Sequence, residues 1–452
     1  MRNPSFGSSQ AAPAAPAVTR RPARANPAFV VPKPNRLLMG VAGFVARWAL
    51  IRGRFRVRRI HLPAADFDRL RTAVNPGTAA FLAPNHPEFG FDWMMDKELS
   101  TRVAPRMASW AASEIVRGAP WFWRRHNLIA NDGGAAALRY SEDCACAGDG
   151  VLLHPEGSVH WTASHVHPLF PGIADLAINT AARLANTEPG RPTFIVPVVW
   201  MARFTGDVSR ALLREMNHIA AALGLPEDRS SDVVGRFSAL QEAILARQMA
   251  RFGFARAKGA ELDYFDRQEA FRAQLVAELR ERHQVGPSDS VERTIHRLQR
   301  AIAAKRVEHP NDPQLPADAA RVAEALRLGG FSRTVYGTAY LTQEQISECL
   351  QRHRATLMKR GRRNALYNML PRPHGPRVVR VRVPEPIRID QERALRAAAI
   401  RSERAAYVAE LLAATRTAMQ QALDTLSAAT AGREPPLASL NPFASSSRHA
   451  AA

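Results

Sequence analysis

The chain has 452 residues, enough for two or three domains, and its 46% apolar content is that of a globular protein rather than a disordered or fibrous one. Its charge is less ordinary: 62 Lys and Arg against 41 Asp and Glu leave a formal +21. Residues 1 to 60 carry twelve basic residues and no acidic one, a field that attracts anionic lipid headgroups, nucleic acid or acidic proteins.

Residues 1–35, rich in Ala, Pro, Ser and Asn and without a period, read as a disordered basic arm. Pro22, Pro27, Pro32 and Pro34 break any signal-peptide core after Arg20-Arg21, so secretion is not expected. From Leu37 to Ile51 runs a fifteen-residue apolar stretch holding Arg47, with Arg52, Arg54, Arg56, Arg58 and Arg59 directly behind it. It is too short to span a bilayer, and residues 36–59 suit an amphipathic basic segment lying on a membrane surface. An ordinary packed core helix is the competing reading.

A basic strand follows at 55–60, and residues 60–207 then alternate short apolar runs with helical patterns. Strands are expected at 79–83, 150–153 and 193–200, and helices near 92–100, 134–141 and 172–185. That alternation predicts an α/β domain with buried strands. Cys144 and Cys146 form no zinc site without a second pair, and three cysteines in all fit a reducing, cytosolic setting.

Beyond Asp207, helical patterns cover 208–223, 233–255, 265–283, 288–306, 317–328 and 342–359. One strand-like run, 378–383, sits between proline-rich turns, and an Ala-rich helix is expected from about 390 to 427. Residues 208–430 read as a mainly helical appendage packed on the first domain, with a separate docking module as the alternative. Residues 431–452 read as a flexible tail.

The residues that point to chemistry begin with Asn85-His86-Pro87-Glu88-Phe89-Gly90-Phe91-Asp92-Trp93. His86 and Asp92 stand just past the apolar run 79–83, where a buried strand gives way to a loop or helix start. A neutral histidine takes a proton from a hydroxyl, and a carboxylate fixes its tautomer and stabilises the imidazolium that forms. Gly90 eases the turn that would bring the two together. No G-x-S-x-G elbow occurs, so the pair suits direct attack by a substrate hydroxyl rather than a covalent enzyme intermediate. The plain alternative is a loop histidine beside a helix-capping aspartate.

The segment 151–158, ending in His154-Pro155-Glu156-Gly157-Ser158, repeats the pattern of apolar strand and polar turn. Glu156 is placed to accept hydrogen bonds from hydroxyls of an acceptor, and Gly157 permits close backbone approach. A structural turn with a solvated Glu is the alternative. His160, His165 and His167 with His154 invite a zinc reading, but their spacing matches neither H-E-x-x-H nor a finger. They are expected to be structural or solvent-facing, with no metal.

Together these motifs resemble, in order and rough spacing, the glycerophospholipid acyltransferase family, the lysophosphatidic-acid-acyltransferase-like proteins. The likeness rests on Asn85-His86-Pro87 with Asp92, on His154 to Ser158, on Ile195-Val196-Pro197-Val198, and on residues 123–132 at the place of the second motif. It covers roughly residues 60–205. Three departures stand out: five residues instead of four separate His86 and Asp92, Ser158 and Val159 replace the usual threonine and arginine, and Asp132 lies where an arginine is common.

The resemblance implies an acyltransferase-like α/β domain with a central mixed sheet flanked by helices. It implies transfer of a fatty acyl group from acyl-CoA or acyl-carrier protein, as co-substrate and with no cofactor, to a hydroxyl of a glycerol-phosphate or lysophospholipid acceptor. His86 would be the general base and Asp92 its partner. Glu156, Gly157 and Ser158 would bind the acceptor, with Arg124 or Arg125 supplying the missing cation, and Asn85 and Pro197 would shape the site wall. The expected location is peripheral, on the cytoplasmic face of an anionic membrane, in phospholipid biosynthesis. A catalytically degenerate lipid-binding or scaffolding protein on the same fold is the alternative. Nucleic acid is disfavoured, because residues 52–59 carry one aromatic, Phe55, and no zinc-finger spacing occurs.

Overall fold

The computed structural model describes residues 29–226, 232–254, 262–288, 290–358, 364, 367, 369–429, 437 and 439–445. The strands are β1 (Val57–His61), β2 (Ala79–Pro84), β3 (Ala108–Ala111), β4 (Leu128–Ala130), β5 (Val151–Leu152), β6 (Thr193–Phe204), β7 (Arg377–Arg382) and β8 (Ile387–Arg388). They form one mixed sheet in the order β1-β7-β6-β2-β5-β3-β4, with β8 also on β6. β2 runs parallel to both β5 and β6, and β7 and β8 run antiparallel to β6.

The α/β expectation holds: a mixed sheet is flanked by helices on both faces. β2 is buried along its whole length, and its residues alternate between two cores. Ala79, Phe81 and Ala83 join Ile195, Val199 and Met201 under α6 (Gly134–Cys146) and α7 (Gly172–Thr187). Ala80 and Leu82 join Val196, Val198 and Trp200 on the other face. That second face is covered by the π-helical turn Ala46–Arg54, which continues α1 (Arg36–Val45), by α2 (Ala64–Ala73) and by α3 (Phe91–Val103), on which α1 packs.

Pro197 lies within β6, a strand paired on both sides, which an N–H-less residue rarely tolerates. It falls in a break: β8 pairs with Phe194 and Ile195, and β7 takes up pairing again at Val199.

The residues beyond the boundary expected at 207 fall into two parts. α8 (Ser209–Leu223) through α14 (Gln343–Leu357) do form a helical unit with its own core. The chain then returns, β7 filling the sheet between β1 and β6 and β8 pairing with β6. The expected helix 390–427 is two helices, Gln391–Ala399 and Arg401–Ala428, broken where Ile400 turns extended. Their apolar faces pack with the sheet core that α7 covers, not with the helical unit. Tethers hold the bend, Arg393 on Glu410 and the Asp390 N–H on the Tyr407 hydroxyl.

The expected arm lies outside the described residues up to position 28. Its end is ordered along α5 (Pro120–Arg125), where Lys33 N donates to the Arg124 carbonyl at 2.9 Å. Of the expected flexible tail, residues 437 and 439–445 are described. Phe443 is buried there against Tyr264 and Phe331, and Asn441 donates to the Tyr336 and Thr338 carbonyls.

Candidate active site

β2 ends at Pro84, and the next eight residues fold back so that Asp92, in the first turn of α3, meets His86. His86 Nδ1 lies 2.9 Å from Asp92 Oδ2. The turn absorbs the fifth intervening residue through Gly90, which caps α3 with φ of 78°. A side chain there would be strained and would also meet the Met369 carbonyl.

Asp92 is fully buried and accepts two further bonds, from Glu88 N at 2.7 Å on the same oxygen and from the Trp200 indole at 3.0 Å on Oδ1. Burial pushes its carboxyl up, and these donors oppose that shift. His86 keeps 20% of its side-chain surface exposed, and no described residue bonds its Nε2. Burial first, then His154 and His160, hold its pKa well below 6.5, so the ring is neutral near pH 7.

His154 from the end of β5 stacks on His86 with ring centroids 4.0 Å apart. Its Nδ1 faces the Asn85 carbonyl at 3.0 Å and its Nε2 faces Asp96 at 2.9 Å. Two acceptors on two ring nitrogens define an imidazolium. Burial alone would lower its pKa, but Asp96 overrides that and holds it at about 9. A positive ring parallel to His86 in turn disfavours a second proton on His86.

Glu156 is placed differently from the sequence expectation. It is 2% exposed, and its two oxygens accept the backbone N–H groups of His86 at 2.8 Å and His167 at 3.0 Å. The carboxylate thus ties the β2 motif to the loop after β5, and its atoms are spent on the protein rather than turned to an acceptor. Glu156→Gln has one acceptor oxygen for two donors, so it is expected to lower stability by about 1–3 kcal/mol in urea denaturation. An unmoved midpoint together with a raised acceptor KM would restore the binding role.

Gly157, with φ of 71°, packs beneath the Phe170 ring, and Ser158 Oγ lies 3.4 Å from His160 Nε2. Asn85 braces the strand ends rather than lining open space: its amide donates to the Trp200 carbonyl and accepts from Trp200 N, both at 3.0 Å. Pro197 is buried opposite Ala83.

Arg124 and Arg125 turn elsewhere. Arg124 donates to the Val31 carbonyl, and Arg125 stacks over Trp121. The cation that does reach the motif is Arg377, the first residue of β7, which is buried with Glu88 in an ion pair and lies 4.6 Å over the Phe91 ring. His160 and His167 stack on each other at 3.7 Å. Among the described residues no group of three His, Cys, Asp or Glu is arranged to hold a metal ion.

No protein-family model and no curated protein matches the chain.

Proposed function

We propose that the protein is a membrane-surface O-acyltransferase that moves a fatty acyl group from an acyl-CoA or acyl-carrier-protein thioester to a hydroxyl of a glycerol-phosphate or lysophospholipid-type acceptor. One observation carries this reading: His86 is neutral, fixed through Nδ1 by buried Asp92, and leaves Nε2 open for a substrate proton. In the reaction His86 Nε2 takes the acceptor's hydroxyl proton as its oxygen attacks the thioester carbonyl. The C–S bond then breaks, the thiolate takes the proton back from the imidazolium, and ester and free thiol leave.

The amino-terminal helix supports the membrane part. Among the described residues no helix is long and apolar enough to cross a membrane. Met39, Gly43, Ala46 and Ile51 are buried against the domain, while Leu37, Val41, Phe44, Val45 and Trp48 are exposed at helical spacing. Arg52 stacks over Trp48 at 4.3 Å, a cation beside the apolar stripe. Apolar area and headgroup attraction add on such a surface. A Phe44→Glu, Trp48→Glu variant is therefore expected to bind anionic liposomes at least tenfold more weakly in a sedimentation assay; equal sedimentation would remove this face from the reading.

The test of function is product formation by the purified protein, given labelled acyl-CoA or acyl-carrier protein and a panel of hydroxyl acceptors in anionic liposomes. A new acylated lipid is expected. Tight lipid binding with no product from either donor would replace the enzyme with a degenerate lipid-binding or scaffolding protein on this fold.

A further inference from the structure

The helical unit, with Val159, His160 and Trp161 of the loop after β5, lines an open-sided cavity of about 870 Å³ to which the acyl-transfer step at His86 assigns no role. Its charged lining is four arginines, Arg247, Arg251, Arg327 and Arg352, against one carboxylate, Glu324. Glu324 is already committed, accepting from Arg327 Nε at 2.8 Å and from Gln248 at 3.1 Å. Three guanidinium groups therefore remain for whatever enters.

Arg352 is the telling one. It is 2% exposed, its guanidinium lies 5.9 Å from the Phe331 and Tyr336 rings, and among the described residues its side chain donates to the weak acceptor Cys349 Sγ alone, at 3.2 Å. Its Nε and Nη1 have no acceptor among the described residues. Gly330 leaves the space the guanidinium occupies, since any Cβ there would collide with it. Nε and Nη1 are shut off from the cavity space, so Arg352 offers a ligand its charge rather than these donors, and a buried cation short of counter-charge favours an anion beside it. Arg247 and Arg251 are exposed, with Arg251 held 5.2 Å over the Phe252 ring.

We propose that this cavity binds a small organic phosphate, its phosphate oxygens bonded by Arg247 and Arg251 at the exposed side, with the buried charge of Arg352 behind them. With Glu324 paired to Arg327, three guanidinium charges on the lining are left unbalanced, and phosphate groups match both their charge and the forked donors of the exposed pair. Trp161, Leu223, Phe252, Leu326 and Met358 add apolar wall for the organic part, in a volume that suits a small-molecule ligand. The acyl donor's own phosphates and an unrelated phosphorylated ligand share this chemistry, and the experiment separates them.

Calorimetric titration of the full chain with inorganic pyrophosphate, in wild-type and His86→Ala protein, is the test. Saturable binding is expected in both. Arg251→Ala should weaken it about tenfold, and so should Arg352→Met, which keeps the volume and removes the buried charge. Arg210→Ala, on an exposed position of α8 outside the cavity, should leave it unchanged. Coenzyme A binding tighter than pyrophosphate, with the same loss in the variants, assigns the donor as ligand; weaker binding assigns a phosphorylated molecule outside acyl transfer. Binding that does not saturate, or that falls equally in all three arginine variants, overturns the proposal. Because no turnover is read, a failure of acyl transfer leaves this result standing, and the reverse.

Discussion

Replacing His86 with alanine is expected to lower kcat/KM for acyl transfer by roughly 10²- to 10⁴-fold, the range a positioned general base contributes. The fold should survive, because His86 makes its remaining tertiary bonds through the backbone, N–H to Glu156 and carbonyl from His160 N. Liposome binding should be unchanged, since the exposed stripe on α1 is on another element. Activity within tenfold of wild type, at equal folded fraction, would remove His86 from the chemistry.

The wild-type pH profile belongs to the same prediction. His86 is held well below 6.5, so its acid limb should lie well below that value and the rate should be flat through neutrality. His154 sets the other side. Its folded pKa of about 9 lies above the ordinary 6.5, so its contribution to stability is whole below pH 6.5 and is lost as pH rises through 9. For this buried pair the loss amounts to roughly 3 kcal/mol. A basic limb near pH 9, accompanied by a falling unfolding midpoint, is the expected signature. Asp96→Asn should move both downward.

Much of this site was legible because it sits where local pattern is strong. The runs 79–83 and 193–200 are wholly apolar or nearly so, as buried parallel strands are, and β2 and β6 lie there. His86 and Asp92 are six residues apart, and one turn closes them. The supports were not legible. Trp200 reaches Asp92 across 108 residues and Arg377 reaches Glu88 across 289, and no periodicity encodes such pairings.

β3 and β4, of four and three residues, are too short to give a period, and they gain their place from β5 and from each other. Glu156 was read as a ligand-binding residue because a carboxylate after a strand looks available in sequence. Two backbone N–H groups, one of them eleven residues on, claim it in space. One signal was there to use: Asp96 follows Asp92 by four residues, so a helix starting near 91 sets both carboxylates on one face, toward His86 and His154.

Asp92→Asn should prove nearly as severe as loss of the base, with kcat/KM down about 10³- to 10⁴-fold and acceptor KM little changed, by the tautomer argument that holds for His–Asp pairs generally. The carboxylate has three donors on two oxygens, the Glu88 N–H, the His86 Nδ1–H and the Trp200 indole. An amide has one oxygen. If that oxygen stays with Trp200, the NH2 faces His86 and the Glu88 N–H, leaves that N–H without an acceptor and forces Nδ1 to accept, which moves the ring proton to Nε2 and removes the lone pair the acceptor hydroxyl needs. If it turns to His86, the Trp200 N–H is left buried without a partner, which costs about 1–3 kcal/mol. Each orientation strands one buried donor, so stability falls in both, and the rate separates them: the first gives an inactive enzyme with Nε2 protonated by nitrogen NMR, the second one that keeps its rate. Wild-type rate with wild-type stability would mean that Asp92 only caps α3, and the pairing with His86 would then carry no function.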